Sequence, residues 1–438
     1  MFTFVPSSLV AVLEVLRPCF TAPSFVTMTV LVAGILGSPG LRTVTGMWQA
    51  AGLAGRAHWS RAHRFFSRAV WDPNAVGVAL ARAVVTRFVD PGGAVTVAVD
   101  DTLFHRYGKQ VHGARYQHDG SARGRDGIGR GNSFVIAGIV VRVPFLVRQI
   151  CLPVLFRLHV PHDKGTRTGG TASKTTQARA LVDVLAAALP GRRIHVVADA
   201  AYRGPVWRDL PDGVSFTTRL ASNAVLYGPQ PAPTGRRGRP AWKGPRLGTA
   251  AEIATTVTWR RATVTRYGAT DTVEIAIIDC LWWGSLHRTP VRLILVRDLD
   301  ETKAYTIALI TTDPTATGEE IVARYASRWP IEQTIKDSKE LLGAGDPQSR
   351  LPQAVERTTP FILVTLTILV LWYHHAGNAN SDLAAHRNRA PWYRHKHHVS
   401  IDDMLVAFRR ARITATSPAQ PIPAQINHEA TARVATAA

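Results

Sequence analysis

Four residues in the segment Y-A-S-R-W-P-I-E-Q-T-I-K-D-S-K have the types and spacing for phosphate chemistry: Tyr325, Arg328, Glu332 and Lys339. Their order, Y-x2-R-x3-E-x6-K, embeds one carboxylate among three groups suited to gripping a phosphodiester. Glu332 and Lys339 stand two helical turns apart, so a helix puts them within about 20° of each other on one face. Pro330 lacks an N–H and would clash inside a helix, which suits it to the first turn. Tyr325 and Arg328 then belong to the element leading in. A lone Glu/Lys pair would be an ordinary solvated helix face. Four such positions gain meaning only with partners elsewhere in the chain.

Two candidate partners end short β-branched runs. Asp100, with Asp101 beside it, closes Ala94–Asp100 (AVTVAVD), and Asp199 closes Arg193–Asp199 (RIHVVAD). Open α/β sheets bind ligands beyond the carboxyl ends of their strands. One such Asp is commonly a turn or cap residue. Two of them with Glu332 make a hard, all-oxygen set suited to magnesium or manganese. A pair of such ions can activate a water or a 3′-hydroxyl and stabilise the leaving oxygen. Paired carboxylates also hydrolyse glycosides, but that chemistry leaves the surrounding Arg and Lys unexplained. Side chains alternate along a strand, so Asp100 and Asp101 point to opposite faces and only one can join the set.

The elements that must position these groups lie in a chain of 438 residues, long enough for two or three domains. Lys and Arg number 52 against 31 acids, a net charge of +21, which points first to a polyanionic partner such as nucleic acid. An anionic membrane surface is the rival. The apolar runs Val26–Leu36 and Phe361–Trp372 are too short to span a bilayer and read as buried core, so no membrane partner is expected. Cys19, Cys151 and Cys280 lie far apart without a CxxC, which suits reduced thiols. With no secretory pattern at the N-terminus, the expectation is a cytoplasmic protein.

Periodicity divides the chain further. Residues 1–90 read as a helical, DNA-binding region. Within it Thr43–Trp71 resembles a helix-turn-helix, split at Gly52 and Gly55, with Arg56, Arg61, Arg64 and Arg68 among Trp59, Phe65 and Phe66. A strand at 94–100, strands at 133–143 and 145–158, a helix at 175–189 and a strand at 193–199 follow. That order opens a mixed α/β sheet. Residues 205–318 are β-rich, 376–414 helical, and 415–438 Ala/Thr/Pro-rich without periodicity, hence expected to be disordered. Two smaller features admit a DNA reading, although the alternative is the favoured one for each. Arg237-Gly238-Arg239-Pro240 matches the core of a minor-groove AT-hook, with a plain basic loop as the alternative. Trp282-Trp283 offers a face for a flipped base, with core packing as the alternative.

Taken together, these segments resemble bacterial insertion-sequence transposases of the DDE type, in the branch marked by a Y-R-E-K signature. Val97–Lys109 (VAVDDTLFHRYGK), His195–Gly204 (HVVADAAYRG) and Tyr325–Arg350 resemble that family's three acid blocks. The resemblance implies an α/β, ribonuclease-H-like mixed sheet, with the core at 91–204 and 319–375 and a β-rich insertion between. It implies a catalytic, metal-binding triad of Asp100, Asp199 and Glu332 holding two Mg2+ or Mn2+ ions, with Asp100 preferred because D-x-T fits Asp100-Asp101-Thr102. Tyr325, Arg328 and Lys339 would hold phosphates of the transposon end, and Tyr202 would belong to the second block. The implied partner is double-stranded DNA, both terminal repeats and target, bound by a homodimer. A decayed DNA-binding product and a metal nuclease of the same fold without strand joining are the other two readings.

Overall fold

The computed structural model describes residues 5–120, 127–162, 170–232, 241–300 and 302–416. Arg237 and Arg239 lie outside the described residues, as does the tail expected from 415, except for its first two residues.

Among the described residues the chain opens with helices α1 (Ser7–Leu13), α2 (Ala22–Gly37), α3 (Val44–Ala50), α4 (Ser60–Ser67) and α5 (Pro73–Phe88). Their starts follow from local chemistry. Thr21, Thr43 and Asp72 accept hydrogen bonds from the first-turn N–H groups of α2, α3 and α5, and Pro73 sits where no N–H is needed. Gly52 and Gly55, both at positive φ, turn the chain between α3 and α4. The residues of the expected reading head divide in two. Phe65 and Phe66 are buried, packing edge-on against Phe361, and Arg61 donates to Thr27 Oγ1 and the Pro23 carbonyl of α2. Trp59, Arg64 and Arg68 remain exposed.

The first strand, β1 (Val95–His105), is the centre of the sheet. It runs antiparallel to β3 (Ile128–Val141), whose outer end carries β2 (Arg115–His118), and β4 (Ile150–His159) extends the sheet beyond β3. On the other side β5 (Ile194–Ala198) and β6 (Val214–Arg219) run parallel to β1. Helix α6 (Lys174–Ala188) makes the crossover from β4 to β5. The order β4-β3-β1-β5-β6, with three parallel strands next to an antiparallel pair, is compatible with a ribonuclease-H-like core. β6 lies beyond residue 204, in the segment 205–318.

The β-rich segment builds no sheet of its own. It comprises β7 (Leu226–Tyr227), β8 (Arg246–Gly248), α7 (Ala250–Ala254), β9 (Arg260–Arg266), β10 (Ala269–Leu281), α8 (Trp283–Leu286), β11 (Pro290–Asp298) and β12 (Ile307–Thr311). β12 pairs with β6, and β11 and β10 follow, so a single sheet continues from the core into this segment. Its inner face and helix α9 (Gly318–Ala326) share a separate small core that includes Val264, Val273, Ile275, Ile321, Val322 and Tyr325. The segment therefore fixes where α9 ends. After α9 come α10 (Pro330–Glu340), α11 (Pro352–Ala376), α12 (Ala379–Arg389) and α13 (Ile401–Thr416).

The apolar run expected from 361 lies inside α11, a helix of 25 residues starting at Pro352 and passing through Pro360. Its length and apolarity alone would suit a membrane span, yet 94% of its apolar window is buried within the fold. The N-terminal helices wrap it: Trp372 Nε1 donates to Ser8 Oγ at 3.0 Å, and Arg357 donates to the carbonyls of Ala69 and Trp71. One apolar cluster thus runs from Val5 through the central sheet to Phe408.

Arg106, just past β1, ties the sheet to the loop after α10. Only 6% exposed, it donates to Asn132 Oδ1, the Gly345 carbonyl and Thr359 Oγ1. Arg106→Ala strands these buried acceptors and is expected to cost about 3 kcal/mol of stability, read by denaturant unfolding. A loss under about 1 kcal/mol would show that water replaces the guanidinium at no penalty.

Candidate active site

The register of the parallel strands brings the first two acids together. Val99 pairs with Ala198, so Asp100 and Asp199 are the next residues on neighbouring chains, about 4.8 Å apart in backbone spacing. Asp199 follows β5 directly, as expected. Asp100 does not end its strand: β1 continues to His105 because β3 keeps pairing with it after β5 has stopped. Asp100 is thus at the place where parallel pairing ends and one edge of β1 becomes free. The Asp199 turn is held from below, its carbonyl accepting from Thr218 Oγ1 of β6 at 3.1 Å.

Alternation separates the adjacent acids, and their partners identify the two faces. Asp101 is fully engaged: Lys174 Nζ at 2.5 Å, the Tyr202 hydroxyl at 2.9 Å and Ser133 Oγ at 3.4 Å all bond to it. It anchors the start of α6 and the buried Tyr202. Asp100 faces the other way, toward α10. Arg328 joins the two segments there, with Nη2 2.7 Å from Glu332 Oε1 and Nη1 3.4 Å from Asp100 Oδ2.

Pro330 occupies the first turn of α10, as its chemistry requires. The helix lies along the Asp100 face of β1. Glu332 sits beside Asp100, and Lys339 Nζ lies 5.2 Å from the centroid of the Phe104 ring. Seven helical residues advance about 10 Å and four strand residues about 13 Å, so the two elements carry these pairs in step. Lys339 is therefore a turn or two away from the carboxylates. Burial pulls its pKa down, opposed by the charge of Asp119.

Tyr325 is only 8% exposed, with its ring in the small core under α9. Burial raises its hydroxyl pKa, and Arg328, Asp199, Tyr267 and Arg219 lie within electrostatic reach. Arg219 was not singled out in the sequence. It is exposed at the carboxyl end of β6, and an Arg closing the run Val214–Arg219 would have been the only local signal. Lys174 was missed as well, since a Lys opening a helix announces nothing by itself.

Trp282-Trp283 stands at the opposite end of β10 from this site. Trp282 is 8% exposed and Trp283 rests on His287, its ring centroid 4.0 Å away. The core-packing alternative holds for Trp282. The exposed aromatics at the site are Trp329, 53% exposed, and Tyr267, 59% exposed, in edge-to-face contact at 6.3 Å. Tyr267 reaches there on the β9–β10 turn.

Burial dominates the electrostatics of Asp100. It raises the carboxyl pKa to about 7 against the hydrogen bond donated by the Asp101 backbone N–H and the Arg328 charge, with the Asp101 and Glu332 carboxylates adding repulsion. Arg328 is also desolvated, but the bond to Glu332 and the Asp100 charge more than offset this and raise its pKa. Among the described residues no three His, Cys, Asp or Glu side chains already stand close enough to enclose a metal ion. Arg328 supplies the positive charge between Asp100 and Glu332. The carboxylate oxygen donors of Asp100, Asp199 and Glu332 are nevertheless of the type that suits a hard divalent cation.

The family model described as DDE superfamily endonuclease matches residues 15–275. No curated protein matched the chain.

The Asp100 environment has a measurable consequence in metal-free protein. Between about pH 4, where an unfolded Asp ionises, and about pH 7, the folded state keeps a proton that the unfolded chain has lost. Stability should therefore fall as pH rises through that window. Asp100→Asn should be more stable than wild type by of the order of 2–4 kcal/mol at about pH 8, with the gap closing toward about pH 4. Denaturant unfolding in chelator reads this. Equal stability at about pH 8 would mean that Arg328 fully compensates the buried charge.

Proposed function

The chain belongs to the DDE superfamily endonucleases, and on that premise we propose that it is a DNA transposase of the Y-R-E-K branch. It would cut phosphodiesters at the ends of an insertion sequence and join the freed 3′-hydroxyls to target DNA. The observation that carries this reading is Arg328, which bonds to Asp100 and Glu332 beside Asp199 in a chain of charge +21.

Asp100, Asp199 and Glu332 would hold divalent ions, Mg2+ or Mn2+, two of them by the analogy of in-line phosphoryl displacement. Ions bound there would make a water or 3′-hydroxyl nucleophilic at neutral pH and neutralise charge on the leaving oxygen. The protein's own groups would do the rest. Arg328 keeps Glu332 and Asp100 in one place and balances their charge before substrate arrives. Lys339 and the exposed Arg219 would receive backbone phosphates on either side of the acids. Tyr325 is placed to add its hydroxyl to the same phosphate track. Trp329 and Tyr267 would stack on a base at the DNA end. Asp101 would take no part in metal binding and would act by holding Lys174 and Tyr202.

This reading expects a homodimer on DNA, since two transposon ends must be brought together, and a cytoplasmic protein that meets the nucleoid when it acts. The exposed Trp59, Arg64 and Arg68 on and around α4 would contribute to reading the terminal repeat.

A plasmid carrying the DNA that flanks the gene tests the proposal. Asp199→Ala and Glu332→Ala should abolish strand cleavage while leaving DNA binding nearly intact, because carboxylates serve phosphates only through cations. Cleavage that persists in excess chelator would sink it. Hydrolysis without joined products would return the nuclease reading instead. Lys339→Ala and Arg219→Ala should each lower the salt slope of binding by about one unit. Arg328→Ala should slow cleavage and leave that slope unchanged, because its charge is already committed to two carboxylates.

A further inference from the structure

The stretch from Leu383 to Ile401 contains no Asp or Glu, yet it carries Arg387, Arg389, Arg394, Lys396 and four histidines around Trp392 and Tyr393. It forms the end of α12 and the loop into α13. Most of it is exposed: Arg387, Arg389, Arg394, His395, His397 and His398 face solvent, Trp392 is 78% exposed and Tyr393 60%. An indole left that open gains little from the fold.

The loop is nevertheless anchored. Asp403, 3% exposed in α13, takes Lys396 Nζ at 2.5 Å, His386 Nδ1 at 2.8 Å and Ser400 Oγ at 2.9 Å. Arg387 donates to the Lys396 carbonyl, Arg394 to the Pro391 carbonyl, and Val399 is buried behind them. Asp403 thus uses Lys396 and His386 as internal ties. The three arginines keep their charge, since none of them pairs with a carboxylate among the described residues.

We propose that this loop is a further DNA-binding surface, which grips the phosphodiester backbone with Arg387, Arg389 and Arg394 and packs Trp392 against the bound DNA. Charge complementarity selects the partner: a fork of arginine N–H donors matches phosphate oxygens, and arginine charge that no described carboxylate pairs with suits a polyanion. The surface is separate from the catalytic face. His397, His398 and Val399 adjoin the β3–β4 turn at Pro144–Val147, next to the beginning of β1, where Thr96 pairs with Val140. Asp100 and Asp199 open toward the other end of the same strands. A duplex held here is either a second segment or the distant arm of one that also crosses the active site.

Full-length protein and a random-sequence duplex of about 30 base pairs test this by fluorescence anisotropy across a salt series. The triple variant Arg387→Ala/Arg389→Ala/Arg394→Ala should bind at least about tenfold more weakly, with the salt slope reduced by about two to three units. Replacing the three with Lys should restore the slope. Trp392→Ala should weaken binding about fivefold or more without changing the slope. Glu332→Ala, which the catalytic reading expects to end cleavage, should bind this duplex with the wild-type affinity and salt slope, so failure here is distinct from failure of the catalytic reading. Unchanged duplex affinity and slope in the triple variant would overturn the proposal. It would also be overturned if the variant lost binding only to vesicles of anionic phospholipid, because the surface would then serve a membrane. Should the triple variant misfold, a photocrosslinking residue placed at Trp392 in otherwise wild-type protein must still label the duplex, and absence of that crosslink overturns the proposal equally.

Discussion

A single guanidinium holds the site together. Arg328 bonds to Glu332 within its own turn and reaches Asp100, 228 residues earlier in the chain. Without a cation between them, Asp100 and Glu332 would repel each other across a partly dry cleft, and α10 would be pushed from the face of β1. Thr334 Oγ1 assists by donating to the buried Cys151 carbonyl of β4 at 2.7 Å, which pins the middle of α10 to the sheet. The helix is thus secured at both the charged and the neutral level. Once Arg328 is placed, the positions of Glu332, Trp329 and Lys339 follow from helix geometry.

Arg328 is placed in turn by a part of the chain that carries none of Asp100, Asp199 and Glu332. The strands β9 to β12 lengthen the central sheet and, on one face, make the small core that seats α9. Tyr325 is both the last large side chain of that core and the start of the site. The β-rich segment therefore acts at a distance: it presents Arg328 through α9 and brings Tyr267 to Trp329 through the β9–β10 turn. On the other flank Arg106 and Asp346 secure the loop after α10, Asp346 accepting from the Arg42 N–H of the N-terminal helices at 2.7 Å. The N-terminal helices and α11 form the platform beneath.

The positive charge of the chain is arranged unevenly around this frame. Near the acids it is either neutralised, as at Arg328 and Lys174, or set a step away, as at Lys339 and Arg219. Farther off, on α4 and in the α12–α13 loop, arginines stand exposed beside an open tryptophan. Positive charge is thus spread over a broad surface, whereas Asp100, Asp199 and Glu332 gather acids at one place.

Much of this was legible from residue order alone, because the relevant physics is local. Pro330 had to begin a helix, the runs AVTVAVD and RIHVVAD had to be strands, and the alternation of Asp100 and Asp101 onto opposite faces follows from backbone geometry. The types of the acids and their basic neighbours raised the expectation of phosphate and cation chemistry. Which face of β1 looks into the site was decided only by tertiary structure, since it depends on whether α6 or α10 covers it, and both lie far away in sequence. The same holds for Arg328, which local spacing could assign equally to a phosphate or to Glu332. Strand pairing across long gaps put β6 inside the core and Arg219 at the site, and let β1 outlast β5. It also carried Trp282 and Trp283 to the far end of β10 and brought Tyr267 and Trp329 together instead. A strand's own residues state that it will pair and which side chains share a face; only the rest of the fold determines with what, and therefore what those side chains meet.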